Sequence, residues 1–332
     1  VTSGVDQIIR SLGGHARFVL TTHVNPDGDG LGSELALARF LRARGKSVTV
    51  VNHSPTPDNY RWLDPDGTIV QFLPERDRDL LLGADCIVVL DTNQPERLRS
   101  LQPFVQQSAA HKIVIDHHLD PHPFADEYLI DDAATSTGEI VYGLLAAMGP
   151  ESIDRGIAEA LYTAIMTDTG SFRFPRTRPE THDIASHLLS CGVDPTAVYV
   201  QVYENWTPGR MRLLGEVLDS MRTAYDGKLA YVVCTQAMFR ATGTTEIETD
   251  NFTTYPMSIQ GVRVGILFNE LRDGVKISFR SKGSIPINRL AKEFGGNGHL
   301  NAAGARLFNA ELEATVRAVV ERAQEYLTES TP

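Results

Sequence analysis

Cysteine is scarce in this sequence. Three occur in 332 residues, Cys86, Cys191 and Cys234, and they lie far apart. The absence of any C-x-x-C pair argues against a structural zinc knot or a redox dithiol, and the two cysteines in apolar, strand-like runs read as buried thiols. Long hydrophobic runs are also missing, since no apolar stretch reaches the ~20 residues needed to cross a bilayer. The opening residues, VTSGVDQIIRSLGG, show neither a basic start followed by a long apolar run nor a small-residue cleavage site. These absences predict a cytoplasmic protein with no membrane partner. Basic charge is in deficit, with 31 Lys and Arg against 42 Asp and Glu and a formal net charge of -11. Such a balance speaks against stable complexes with long nucleic acid, which depend on basic groups neutralising phosphates.

Internal repeats and low-complexity tracts are absent as well, and what remains is an ordinary globular composition in a chain long enough for two cores. Apolar β-branched runs (ARFVLTT, SVTVVN, DCIVVLD, KIVIDHH) alternate with helical patterns. That alternation predicts an α/β fold with a mostly parallel sheet flanked by helices. The spacing of Leu35, Leu37, Ala38 and Leu41 predicts a helix over Gly32–Arg44 ended by Gly45. Ser136-Thr-Gly-Glu139 reads as a capping box opening a second helix, so Ser136 is structural rather than nucleophilic. A third helix is expected over Ile157–Met166. After Cys191-Gly192 the alternation stops, which marks a domain change. The expected organisation is a first domain at 1–189, a linker at 190–207 and a smaller α/β domain at 208–330.

Charge is unevenly placed. Between Gly261 and Arg306 eight Lys and Arg face three acids, a local +5 in a chain that is otherwise -16. The segment suits an anionic ligand, although solvated surface charge would look the same.

The chemistry is concentrated at strand ends. His23, Asp27 and Asp29 sit in T-T-H-V-N-P-D-G-D-G-L-G-S (21–33), Asp91 ends CIVVLD, and Asp116 ends KIVID with His117 and His118 behind it. In open α/β sheets ligands gather outside the carboxyl ends of the strands, so these groups should converge. Asp168, in T-D-T-G, joins by context. A glycine-rich turn cradling a dinucleotide needs G-x-G-x-x-G, whereas these glycines are spaced G-x-G-x-G with acids between them. Carboxylates ~4 Å apart repel by about 4 kcal/mol at an effective dielectric of 20, so several cannot share a crevice ionised without cations. The expectation is that the glycines allow a tight turn aiming Asp27 and Asp29 inward at metal. Carboxylate and imidazole together suit Mn²⁺, with Mg²⁺ or Co²⁺ as substitutes, and the number of ligands suggests two ions.

In order, H-x-x-P-D-x-D at 23–29, strand-Asp-Thr at Asp91, Asp116-His117-His118 and Thr-Asp168-Thr-Gly-Ser-Phe-Arg resemble the DHH phosphoesterases. SFRSKG and FGGNGHLNAAG resemble the DHH-associated domain found with them, and the compact length is similar to the nanoRNase and pAp-phosphatase branch. The resemblance implies one ion on His23, Asp27 and Asp91 and another on Asp29, Asp91, His117 and Asp168, with Asp91 bridging. It implies that Asp116 and His118 serve catalysis, His118 by orienting phosphate or assisting proton transfer. It also implies that Arg280, Ser281, Gly295, Gly296, Asn297, Gly298 and His299 bind the phosphate end of the substrate, in a domain facing the catalytic one across a cleft. Asn297 departs from the glycine usual at its position, and ETDNFTTYPMSIQGV departs from the usual Gly-Leu-Val-Asn-like wording.

The implied activity is two-metal hydrolysis of short RNA, linear dinucleotides such as pApA, or 3′-phosphoadenosine 5′-phosphate. Alternatives are a RecJ-like single-strand exonuclease, a cyclic-dinucleotide phosphodiesterase, a pyrophosphatase or polyphosphatase, and a non-catalytic nucleotide-binding regulator. A RecJ-like enzyme would need an extended basic groove with stacking aromatics. The sequence leaves substrate choice and oligomeric state open, a homodimer included.

Overall fold

The computed structural model describes residues 4–328; residues 1–3 and 329–332, at the outer ends of the two expected domains, lie outside the described residues. The chain divides between Asn205 and Trp206 into two compact units.

The first unit is built on six parallel strands, β1 (Arg17–Thr21), β2 (Ser47–Asn52), β3 (Ile69–Gln71), β4 (Cys86–Leu90), β5 (His111–Asp116) and β6 (Glu127–Ile130), in the order β3-β2-β1-β4-β5-β6. Every residue of β4 is buried, as befits a central parallel strand covered on both faces, whose sequence then reads as an unbroken apolar run. Because side chains alternate along a strand, Leu20, Val50 and Val88 enter one core layer while Val19, Val51 and Val89 enter the other. The first layer is covered by helices Gly28–Ala43, Thr137–Met148 and Arg155–Asp168.

Helix starts follow their caps. Ser136 Oγ accepts the N–H of Glu139 at 3.1 Å and Asp154 accepts that of Ile157 at 2.8 Å, so the third helix begins two residues before the expected Ile157 and ends on Asp168. The stretch expected as a linker carries the helix Pro195–Tyr203, whose Val198 and Val202 are buried in the first unit's core.

The second unit holds a mixed six-stranded sheet of β7 (Arg222–Ala224), β8 (Leu229–Cys234), β9 (Val264–Leu271), β10 (Gly274–Ser281), β11 (Asn297–His299) and β12 (Ala302–Phe308), ordered β11-β12-β10-β9-β8-β7. Only the β8–β9 pair is parallel. Phe268, Phe279, Leu290 and Val319 anchor its core. Among the described residues no helix is long and apolar enough to cross a membrane.

Candidate metal centre

The strand order reverses between β1 and β4, since β2 and β3 build to one side of β1 and β4 to β6 to the other. A crevice opens outside the carboxyl ends at such a reversal, and the acidic and imidazole groups occupy it. β1 delivers His23, β4 delivers Asp91, and β5 delivers Asp116, His117 and His118.

His23 is buried, and its Nδ1–H donates to the Val24 carbonyl at 2.9 Å. That bond turns Nε2 toward the acids, 3.2 Å from Asp91 Oδ2 and 3.8 Å from Asp27 Oδ1. His117 Nε2 faces three carboxylates, Asp168 at 3.5 Å, Asp91 at 3.6 Å and Asp29 at 3.7 Å. His118 Nδ1 bonds Asp116 Oδ1 at 2.7 Å, and the same oxygen accepts the His117 N–H at 2.8 Å. Asp91 has φ 60°, a left-handed conformation that a non-glycine residue holds at a cost and that recurs at functional sites.

Three trios of ligand atoms each lie within 4.8 Å: His23, Asp27 and Asp91; Asp29, His117 and Asp168; and Asp91, His117 and His118. All six residues expected as metal ligands are therefore gathered in one place, and Asp91 belongs to two trios.

The glycines act differently from the expectation. Gly28, Gly30 and Gly32 do not form a turn; they are the first turns of the helix Gly28–Ala43, which starts four residues before the expected Gly32 because the Asp27 carboxylate caps the N–H groups of Asp29 and Gly30. What requires glycine is close approach. A Cβ at Gly32 would stand 2.4 Å from the Ala160 carbonyl oxygen and one at Gly28 2.5 Å from Thr167 Oγ1, so the acid-bearing turn can press against the helix Arg155–Asp168 that carries the fourth aspartate. The left-handed turn residue is Asn25, at φ 54°.

Electrostatics record the crowding. Burial raises the Asp29 carboxyl well above the usual carboxylate range, and Asp91, Asp168 and Asp27 add to the rise. Burial, then Asp91 and Asp27, push Asp168 up to about 7. Burial opposes the charged imidazolium of His23, yet hydrogen bonds to Asp27 and Asp91 outweigh it and raise the ring to about 10. Burial works against ionised Asp91 too, but the His23 bond holds it low. Burial lowers His117; in His118 it is outweighed by the Asp116 bond, which raises the ring. In addition, the buried Oδ2 of Asp116 and Nδ1 of His117 have no hydrogen-bond partner among the described residues. A set of carboxylate oxygens and imidazole nitrogens, with no thiolate in any trio, fits a hard to borderline divalent cation of the Mn²⁺ or Mg²⁺ kind.

Thr137 and Gly138 are functional neighbours that sequence reasoning missed. Their N–H groups donate to Asp29 Oδ2 and Oδ1 at 2.7 and 2.8 Å, and the Thr137 hydroxyl donates to Asp91 Oδ1 at 2.9 Å. A helix N-terminus thus holds a buried acid of the site. The capping box was visible, but nothing local showed that its free N–H groups serve Asp29. Glu139 departs from the box pattern: its Oε2 reaches the N–H of Thr135 at 3.1 Å and its Oε1 takes Arg178 at 2.7 Å.

In the second unit, Arg280 lies near the end of β10 and is partly buried, and burial lowers its pKa. Ser281 is committed to its own loop, donating to the Ile285 carbonyl at 2.8 Å and accepting from Asn301 at 2.9 Å. Gly295 and Gly298 carry the positive φ values of the glycine-rich segment. Asn297 is an extended β11 residue paired with Gly304, and a Cβ at Gly296 would meet the Gly304 carbonyl oxygen at 2.2 Å. The His299 side chain is outside the described residues. Part of the local basic excess is paired, as Arg306 meets Asp273 at 3.1 Å and Lys276 meets Glu246 at 3.8 Å.

Comparison with known proteins agrees with this architecture. Residues 17–165 match the DHH family, N-terminal domain, and residues 226–329 match the DHHA1 domain. The chain is 30% identical to the bifunctional oligoribonuclease and PAP phosphatase NrnA of Thermus thermophilus, over 98% of this chain and 94% of that protein. It is also 30% identical to the NrnA of Bacillus subtilis, over 91% and 93% respectively. A solved structure of an exopolyphosphatase-related protein from Bacteroides fragilis superposes with a TM-score of 0.93 at 35% identity, covering 97% of this chain and 95% of that one. With both domains in place and the acid and imidazole groups of the motifs converged on one crevice, the chain belongs to the DHH family of metal-dependent phosphoesterases.

Proposed function

We propose that this enzyme hydrolyses short oligoribonucleotides and linear dinucleotides to mononucleotides, and 3′-phosphoadenosine 5′-phosphate to AMP, using two Mn²⁺ ions. The observation that carries the reading is the place of Asp91 between the trios His23–Asp27–Asp91 and Asp29–His117–Asp168, its Oδ2 3.2 Å from His23 and its Oδ1 3.6 Å from His117, in a chain that matches relatives named oligoribonuclease and PAP phosphatase over nearly their whole length. On this reading His23, Asp27 and Asp91 hold one ion, and Asp29, Asp91, His117 and Asp168 the other. When bound, the ions would supply Lewis acidity toward phosphorus, the attacking water and the leaving oxygen.

The chain's own groups do the rest. Thr137 and Gly138 keep Asp29 in place, and the Thr137 hydroxyl fixes one oxygen of Asp91. Asp116 holds His118 by Nδ1, so that the imidazole orients the phosphate and assists proton transfer to the leaving oxygen. Residues 1–189 make the catalytic domain. Residues 208–330 make the substrate domain, in which Arg280, Ser281, Gly295, Gly296, Asn297, Gly298 and His299 receive the terminal phosphate.

The test is a substrate panel at fixed Mn²⁺, resolving products by length: RNA of two to five nucleotides, pApA, 3′-phosphoadenosine 5′-phosphate, a cyclic dinucleotide, long single-stranded DNA and polyphosphate. The expected order puts the short linear substrates first. Faster turnover of long DNA would make the protein a RecJ-like exonuclease, a lead for the cyclic dinucleotide would make it a cyclic-dinucleotide phosphodiesterase, and phosphate release from polyphosphate alone would make it a polyphosphatase. No hydrolysis of any substrate would leave a binding protein.

A further inference from the structure

Of the buried acids of the first unit that lie outside the ligand trios, Glu34 belongs to the helix that bears Asp29. Glu34, on the helix Gly28–Ala43, is 0% exposed, as are Asn52 at the end of β2 and Thr21 and Thr22 at the end of β1. These residues form a chain of hydrogen bonds. Asn52 Nδ2 donates to Glu34 Oε2 at 2.8 Å. At its other end, Asn52 Oδ1 accepts the Thr22 N–H at 3.0 Å and the Thr21 hydroxyl at 3.3 Å.

The placement matters because the β1–β2 pairing stops at Leu20 and Val50. Past that point the Thr22 N–H has lost its neighbour-strand carbonyl, and the Asn52 side chain supplies the missing acceptor. The Asn52 backbone is itself held to the next strand, since its carbonyl accepts the Phe72 N–H at 2.8 Å. The following residue, His23, is the imidazole aimed at Asp27 and Asp91. Thr22 also lies under the acid-bearing helix, with Oγ1 2.6 Å from where a Cβ on Gly30 would be.

A side-chain amide can present either end. Here only a carboxyl accepting from Nδ2 makes Oδ1 face β1, so Glu34 sets the orientation of Asn52. We infer that Glu34 is a positioning residue that, through Asn52, pins the end of β1 and thereby aims His23 at the metal centre. Burial pushes the Glu34 carboxyl up to about 8, which leaves it neutral at neutral pH and makes glutamine its isosteric mimic. The inference rests on His23 being a metal ligand.

The experiment titrates Mn²⁺ into the metal-stripped full-length protein, reading free Mn²⁺ by its electron paramagnetic resonance signal, for wild type, Glu34→Ala, Glu34→Gln, Asn52→Ala, the Glu34→Ala/Asn52→Ala double variant and His23→Ala. Circular dichroism melts establish that each variant is folded. Partners that orient a ligand typically contribute 10- to 100-fold in metal affinity, so Glu34→Ala and Asn52→Ala are each expected to weaken Mn²⁺ binding about tenfold. The double variant should be no worse than either single, because both break one relay. Glu34→Gln should stay within about twofold of wild type, and KM for pApA at saturating Mn²⁺ should not move in the Glu34 and Asn52 variants. Wild-type Mn²⁺ affinity in folded Glu34→Ala, a Glu34→Gln as weak as Glu34→Ala, or additive losses in the double variant would each overturn the inference. Should Glu34→Ala not fold, the contrast between Asn52→Ala and Glu34→Gln decides. Unchanged affinity in His23→Ala would instead overturn the ligand assignment, which separates the two failures.

Discussion

The Asp29 carboxylate accepts the backbone N–H of Thr137, 108 residues further along the chain, at 2.7 Å. Thr137 also gives its hydroxyl to Asp91, so one residue serves two acids by two chemically separable bonds. Thr137→Val keeps the N–H and loses the hydroxyl. It should weaken Mn²⁺ binding about tenfold, at the low end for a ligand-orienting partner, while Thr137→Ser stays near wild type. Calorimetric Mn²⁺ titration of both variants checks this; equal losses would mean that the hydroxyl's bond to Asp91 is irrelevant.

Asp91→Asn should abolish hydrolysis. Asp91 turns Oδ2 toward His23 and Oδ1 toward His117, so removing its charge takes a ligand from both proposed sites at once, and both ions would loosen together. The measurement is turnover of pApA at saturating Mn²⁺, and near-normal rates would refute the two-ion assignment.

Arg280→Ala should separate substrate capture from chemistry. Loss of a charge-assisted hydrogen bond worth ~1.4 to ~3 kcal/mol lowers kcat/KM for dinucleotides roughly tenfold to a hundredfold. Cleavage of bis-p-nitrophenyl phosphate, which has no terminal phosphate to grip, should be largely unchanged. Equal losses on the two substrates would place Arg280 in the catalytic centre or in the fold.

The Glu34 carboxyl rises from an ordinary 4.5 to about 8 on folding, chiefly through burial. The folded state therefore binds more protons than the unfolded one between those values, and this group's contribution to stability falls as pH rises from about 4.5 to about 8. Glutamine does not titrate. Glu34→Gln should accordingly gain thermal stability relative to wild type as pH rises through that window, with little difference near pH 4. Melting curves of the two proteins from pH 4 to 8.5 test the sign.

Much of the site could be read from strand ends alone. His23, Asp91 and Asp116 each follow an apolar β-branched run, and a parallel sheet brings such ends to one edge. The glycines misled because spacing cannot tell a turn from a close helix approach: Gly28, Gly30 and Gly32 look alike in either role, and only the positions of Thr167, Thr22 and Ala160 separate them. The stretch at 190–207 holds more structure than its sequence showed. Its polar and aromatic wording suggested a linker, yet Val198 and Val202 find buried places that local sequence could not reveal.

By itself the sequence determined the alternating elements, the helix cap at Ser136 and the identities of the acid and imidazole groups. These depend on neighbours within a few residues, through side-chain period and local hydrogen bonding. Only the tertiary structure decided that the helix start at Thr137 would hold Asp29 and Asp91, that Asn52 would complete the edge of β1, and that Glu34 would be buried behind them. Those relationships join segments 18 to 109 residues apart. They exist because close-packed helices and strands leave a buried polar group few partners within reach, and which partners those are depends on packing geometry rather than on local sequence.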